Sequence, residues 1–240
     1  MPYPYALNED MHVHSVYSDG KGTLEENIEA AERAGLTRLG LVDHVRRDTT
    51  YLPEFVAHVE RLRPQTSVEL TIGIEAKFLD RSGALDVPER IDGVDFVYAA
   101  DHQLPIDVGC ITPKEAVARM EAGHMTPEAV IESLVDANCN AMVRPPRLVI
   151  AHLGSILPKM GLSEEQVPHQ QLVRLAAFAR HSGTYIEIDE RWRCPGPKTL
   201  KVFLDYSVPV LCSSDAHRPN RIGRYSFNAE THETLSRSAA

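Results

Sequence analysis

At 240 residues, 43% hydrophobic and 25% charged, the chain has the composition of one large α/β domain or two small ones. A formal net charge of −9 argues against the basic stripe that holds long nucleic acids, and no apolar run is long enough to span a membrane. Four scattered cysteines without a C-x-x-C pair, and an N-terminus lacking signal-peptide regions, point to a reducing cytoplasm and a small-molecule substrate.

Short apolar runs alternate with amphipathic stretches along the chain. The first strand is expected at 11–14, "MHVH". Thr23 and Glu26 make a capping box ahead of "LEENIEAAERAG", a helix that Gly35 closes. Further strands are expected at 38–44, 69–75, 94–102, 147–152, 184–188 and 208–217, with helices at 53–63, 112–122, 126–138, 163–182 and 197–206. The stretch 103–140 is either a lid or a plain helical connection, and 223–240 reads as a tail, ragged at "THETLSRSAA". Most strand runs are apolar throughout, as in a parallel sheet covered by helices on both faces. Seven β-then-α units in a single domain with a core at about 10–222 suggest a barrel related to the (βα)8 type, with a doubly wound open sheet as the alternative.

The polar residues fall in a pattern. His12 and His14 sit at alternate strand positions and so face the same way. Alone, a His-x-His is more often a solvated strand end than a ligand pair. Here Asp43-His44, Glu75, Asp101-His102, His152, Glu187 and Asp215-x-His217 also lie at or just beyond C-terminal strand ends, which converge in a parallel barrel. Six of eleven histidines occupy such ends, while His58, His124, His169, His181 and His232 read as surface or helix residues. The set points to a metal centre. Imidazole and carboxylate without thiolate suit zinc, manganese or iron. Six histidines with Asp19, Glu75 and Asp215 exceed the needs of one ion and suffice for two or three, with Glu75 bridging. Clustered divalent metals suit hydrolytic phosphoryl chemistry.

In order and spacing, "HVH…SDG", "LVDH", "GIE", "ADH", "IAHLG" and "SSDAHRP" resemble the polymerase and histidinol phosphatase (PHP) family over residues 10–222. The resemblance implies a distorted (βα)7 TIM-like barrel and a trinuclear site. Mapped by motif, His12, His14, Glu75 and Asp215 would hold one metal, Glu75, His102 and His152 a second, and His44, His217 and Asp19 a third. Histidinol phosphatase-like members often carry a histidine where this chain has Asp19, a departure that bears on the third metal and on the substrate. The implied activity is hydrolysis of a small phosphomonoester, histidinol phosphate or a nucleotide-like metabolite, by metal-bound hydroxide that Asp215 helps to orient.

Asp43 and Asp101 precede ligand histidines and face away from them, so they support the site or the fold. Glu187 is placed equally for either role. Phosphate-binding candidates are Arg46, Arg191, Arg193 and Arg218, all just past strand ends, with Lys77 weaker. Arg193 is the first choice, because Pro195 and Pro197 restrict the backbone beside it, and Arg191 competes. Two other classes are a metal-dependent amidohydrolase and a non-catalytic PHP regulatory module. Glu75, where amidohydrolases often use a carboxylated lysine, counts against the first, and the intact ligand positions count against the second. Nothing in the sequence speaks to oligomeric state.

Overall fold

The computed structural model describes residues 5–144 and 147–238. Its strands are β1 (Glu9–Val13), β2 (Arg38–His44), β3 (Glu69–Lys77), β4 (Phe96–Ala100), β5 (Leu104–Pro105), β6 (Cys110–Ile111), β7 (Leu148–Ala151), β8 (Tyr185–Asp189) and β9 (Val210–Ser213). Seven of them form one parallel sheet in the order β1-β2-β3-β4-β7-β8-β9, while β5 and β6 make a small antiparallel hairpin. The sheet curls back on itself: His14 N donates to Ala216 O at 2.9 Å and Ala216 N to His12 O at 3.3 Å, next to a parallel bridge between Val13 and Ala216. The expected seven-stranded barrel is therefore formed, and the open doubly wound sheet is not.

The helices are α1 (Leu24–Arg33), α2 (Leu52–Leu62), α3 (Pro113–Glu121), α4 (Pro127–Met142), α5 (His169–Ser182), α6 (Pro197–Asp205) and α7 (Phe227–Ser238). Thr23, Thr112 and Thr126 cap α1, α3 and α4, each accepting a backbone N–H from the first turn. Proline follows the cap in α3 and α4, where its missing N–H costs nothing. The helix expected over 163–182 is shorter, because Pro168 stops an initial 3-10 turn (Glu164–Gln166) from running into α5.

Strand alternation separates two cores. On β2, Leu39 and Leu41 face the helices in the main cluster, whereas Val42 joins Phe96, Tyr98, Val149 and Leu211 in a second, smaller cluster. Val42 pairs with Gly73, and His44 pairs with Glu75 two positions further on. The ligand-type side chains thus continue the row that fills the barrel with apolar groups, one step nearer the C-terminal rim. Gly73 must stay small, because a Cβ there would lie 2.7 Å from Val42 and 2.9 Å from the Tyr98 ring.

The expected tail is an ordered helix. In α7 the residues Phe227, Asn228, Thr231, His232 and Leu235 are buried, so His232 is a helix residue on the inward face. The Asn228 amide donates to Ile188 O and Ser213 O, and Tyr5 Oη donates to Asn228 O at 2.6 Å. Glu190, just past β8, accepts hydrogen bonds from the backbone N–H groups of Ser226, Phe227 and Asn228. A remote carboxylate therefore caps the helix, which no local sequence signal reveals. Glu190→Ala is expected to cost about 1–2 kcal/mol and to lower the melting temperature by roughly 3–6 °C. An unchanged melting curve would show that α7 is docked by its apolar face alone.

No described helix is long and apolar enough to cross a membrane, and all four cysteines are free. The 103–140 stretch is a connection: Ser133 Oγ donates to Pro105 O, holding the β5–β6 hairpin on α4, and no residue of the stretch lines the mouth of the site.

Candidate metal centre

All nine candidate ligands come together at the C-terminal rim of the barrel. Glu75 lies at the middle. Its Oε1 is 3.0 Å from His102 Nε2 and 3.1 Å from His152 Nε2. Its Oε2 is 3.0 Å from His44 Nδ1, 3.4 Å from His14 Nε2 and 3.5 Å from His12 Nε2. Asp215 Oδ1 approaches His14 Nε2 at 3.2 Å and His217 Nδ1 at 3.3 Å. Asp19 closes the outer side, with Oδ2 3.2 Å from His217 Nε2 and 3.6 Å from His44 Nε2. Ligand atoms lie within 4.8 Å of one another in four sets: His14, Asp19, His44 and His217; His12, His14 and Asp215; His44, Glu75 and His102; and His12, Glu187 and Asp189.

The backbone is bent to achieve this. His152 and Asp215 have φ of 32° and 48°, a left-handed conformation that costs a residue with a Cβ roughly 1–3 kcal/mol. The loop bearing Asp19 is pinned from both sides. Lys21 N donates to His217 O at 2.8 Å, and buried Asp43 accepts from Ser15 N, Ser15 Oγ and Ser18 Oγ. Burial pushes the Asp43 carboxyl up to about 6 even against those hydrogen bonds. Gly20 is required in "SDG", because a Cβ there would sit 2.5 Å from the His14 carbonyl.

Two buried carboxylates orient the histidines. Glu187 Oε1 is 2.7 Å from His12 Nδ1 and accepts from Ser213 Oγ at 2.6 Å, while its Oε2 accepts from His152 N at 2.6 Å. Asp101 Oδ1 lies 3.4 Å from His152 Nδ1 and accepts from Ser155 Oγ at 2.7 Å. Both imidazoles therefore turn Nε2 toward Glu75. Burial opposes charge on His12 and His152, but Glu187 and Asp101 outweigh it and raise both rings above the usual histidine range. On His14 burial outweighs the pull of Asp215 and Glu75, with His12 adding to it, and lowers the ring to about 4. Burial alone would raise Glu75, yet the histidines around it hold it well below the usual carboxylate range.

Those nitrogens and oxygens do not satisfy one another. His12 Nε2, both His14 ring nitrogens, His44 Nδ1 and Asp215 Oδ1 are buried without a hydrogen-bond partner among the described residues. Buried polar atoms are nearly always paired, so this concentration at one point calls for cations between them. The donor set fits divalent transition metals.

The arginines divide. Arg191 donates to Asp215 Oδ2 at 3.0 Å and, with Arg46, lines the mouth beside Asp19 and His102. Arg218 lines an adjoining cavity. Arg193 does neither. It pairs with Glu230 at 3.7 Å and its guanidinium lies 5.0 Å from the Phe227 ring, on the α7 side. A place over the mouth beside Arg191 needs an extended segment, and residues 190–193 turn instead, with Arg193 at φ 55°. Lys77 is drawn to Asp86 at 3.7 Å.

Sequence reasoning missed Trp192, Lys159 and Arg221. Trp192 Nε1 donates to Asp215 Oδ2 at 3.0 Å, and Lys159 Nζ sits 4.0 Å from the Trp192 ring centroid. An aromatic flanked by two arginines just past a strand end was the available signal. Trp192 is the only tryptophan, so its fluorescence reports on this side of the centre, where Asp215 and His152 lie. Adding Zn²⁺ to the metal-free protein is expected to shift or quench that emission. An unchanged spectrum at full loading, checked by elemental analysis, would show that metal does not bind on the Trp192 side of the cluster, against the ligand roles of Asp215 and His152.

The PHP domain family matches residues 10–225, nearly the whole chain, and the protein belongs to that family. Curated relatives include a protein of Acetivibrio thermocellus named "Probable phosphatase", 28% identical over 229 residues that cover 90% of this chain and 82% of the relative. A "Probable phosphatase" of Clostridium acetobutylicum is 28% identical over 222 residues, covering 90% and 81%. Among solved structures, histidinol phosphate phosphatase from Lactococcus lactis, complexed with zinc, L-histidinol and phosphate, superposes with a TM-score of 0.68. It is 17% identical, over 97% of this chain and 93% of that one, a likeness of fold.

Proposed function

We propose that the protein is a metal-dependent phosphomonoesterase acting on a small phosphorylated metabolite. The observation that carries this reading is the cluster of unpaired, buried imidazole and carboxylate atoms at the rim of a PHP barrel, with arginines beside it. His12, His14, Glu75 and Asp215 would hold one ion, Glu75, His102 and His152 a second, and His44, His217 and Asp19 a third. The distances support shared ligands, since Glu75 and His14 each approach two of the sets. Bound divalent ions supply Lewis-acid charge and acidify water at neutral pH. Asp215 is held by Arg191 and Trp192 through Oδ2, which leaves Oδ1, beside His14 and His217, to face both the ion and the attacking water. Arg191 and Arg46 at the mouth meet the phosphate oxygens and offset charge that develops on them.

The zinc, histidinol and phosphate in the Lactococcus structure support the chemistry on this fold. The test is a screen of phosphorylated metabolites with Mn²⁺ and Zn²⁺, including histidinol phosphate and nucleoside monophosphates, run alongside amide substrates. Phosphate release by protein carrying more than one equivalent of metal is the expected result. Amide hydrolysis without phosphate release, or an active sample holding a single ion, would overturn the reading.

A further inference from the structure

The mouth of the site does not end at the ligand cluster. The cavity over the ligands, about 210 Å³, adjoins a second of about 230 Å³, and both are walled by Arg191, Asp215 and His217. The far wall of the second is made by Arg218 and Arg221. Pro219–Arg221 form a 3-10 turn in which Arg221 N donates to Arg218 O at 2.9 Å, so the backbone sets the two arginines close together.

Arg218 and Arg221 are both exposed, and among the described residues the side chains of Arg47 and Arg180 likewise lack a protein partner. What sets Arg218 and Arg221 apart from arginines engaged in the fold is the cavity they line beside the candidate metal centre. Arg63 pairs with Asp95, Arg81 with Asp136 and Arg193 with Glu230. Among the described residues, the Arg218 and Arg221 side chains have no ion pair or hydrogen bond. The chain has 34 acidic residues against 25 basic ones, so partners were available. The single carboxylate lining that cavity, Asp215, is already engaged by Arg191 and Trp192. Neighbouring guanidiniums repel one another, and divalent ions in the adjacent centre add to that repulsion. An anion between them reverses the sign of both terms, and guanidinium forks suit phosphate and carboxylate alike.

We infer that the preferred substrate carries a second anionic group, phosphate or carboxylate, on its leaving group. It occupies the Arg218–Arg221 cavity while the scissile phosphate lies over the metal ligands. This rests on the phosphomonoesterase reading. In the reaction, water oxygen bonds to phosphorus, the phosphorus–oxygen bond to the leaving alkoxide breaks, and a proton from water ends on that alkoxide. The second anion is unchanged. An ammonium-bearing leaving group would meet the guanidiniums with like charge, so amino-alcohol phosphates are disfavoured.

The test uses full-length, metal-loaded protein and four propyl phosphates that differ only at the far terminus: hydroxyl, carboxylate, second phosphate or ammonium. Expected kcat/KM for at least one anionic terminus, carboxylate or phosphate, is about tenfold or more above the hydroxyl ester, with the ammonium ester below it. Whichever of the two leads identifies the anion. In the Arg218→Ala/Arg221→Ala double variant that ratio falls toward one. Equal turnover of hydroxyl and anionic esters by the wild type overturns the inference alone, whether or not the variant folds. So does a variant of normal metal content that keeps the full preference. Release from none of the four strikes the phosphomonoesterase reading, and this inference falls with it.

Discussion

Glu75→Gln is expected to abolish phosphate release while leaving the barrel folded. The two Glu75 oxygens face different partners, His102 and His152 on one side and His12, His14 and His44 on the other. Glutamine has the same shape but one carbonyl oxygen, and its amide nitrogen cannot ligate a metal. In either orientation one half of the centre loses its carboxylate oxygen and meets an N–H₂ group instead. The loss of a shared ligand removes several kcal/mol of transition-state stabilisation, on the order of a thousandfold in rate or more. The fold is spared for separable reasons. Ile72 and Ile74 pack toward the helices, the strand pairing of β3 is untouched, and His12 and His152 keep their own carboxylates, Glu187 and Asp101. Rate, metal content and thermal melt, measured together, decide it. Activity within about tenfold of wild type would remove Glu75 from the centre.

What the sequence reveals and what it hides divide along physical lines. The span 38–44 is read with the bounds of β2, because an apolar core this short between polar residues is too short for a helix. The nine ligand-type residues are legible for a related reason. A parallel barrel gathers its C-terminal strand ends whatever the details, so position along each strand is enough to bring His12, His44 and Glu75 together. The arginines fail that logic. Their placement depends on turns, and the left-handed Arg193 sends its side chain to Glu230 rather than over the mouth. The strand expected over 208–217 stops at Ser213, since Asp215 adopts φ 48° to reach the ligands. The cap on α7 was equally invisible, because Glu190 stands 36 residues away from Ser226 along the chain. Its absence from local reading made an ordered helix look like a tail.

Glu187→Gln and Glu187→Ala are expected to damage the centre equally and the fold unequally. Glu187 is fully buried and serves three donors, with Oε1 taking His12 Nδ1–H and Ser213 Oγ–H and Oε2 taking the His152 backbone N–H. Alanine leaves all three without an acceptor in the core. Each orphaned donor costs about 1–3 kcal/mol, so a loss of several kcal/mol and a large fall in melting temperature follow. Glutamine has a way out. With its carbonyl turned to His152 N–H, its amide N–H₂ faces His12 Nδ1 and Ser213 Oγ, both of which can accept. Every buried group is then satisfied, and the melting temperature should change little. The cost falls on His12. Accepting at Nδ1 forces the ring proton onto Nε2, the atom that turns toward Glu75 and Asp215, and a protonated nitrogen cannot ligate. Metal affinity and rate should drop by about 10–100-fold in a protein as stable as wild type. Equilibrium metal titration beside a thermal melt separates the two effects. A glutamine variant that binds metal normally would show that Glu187 sets packing rather than the His12 tautomer, and one that melts as early as alanine would show that the amide cannot turn.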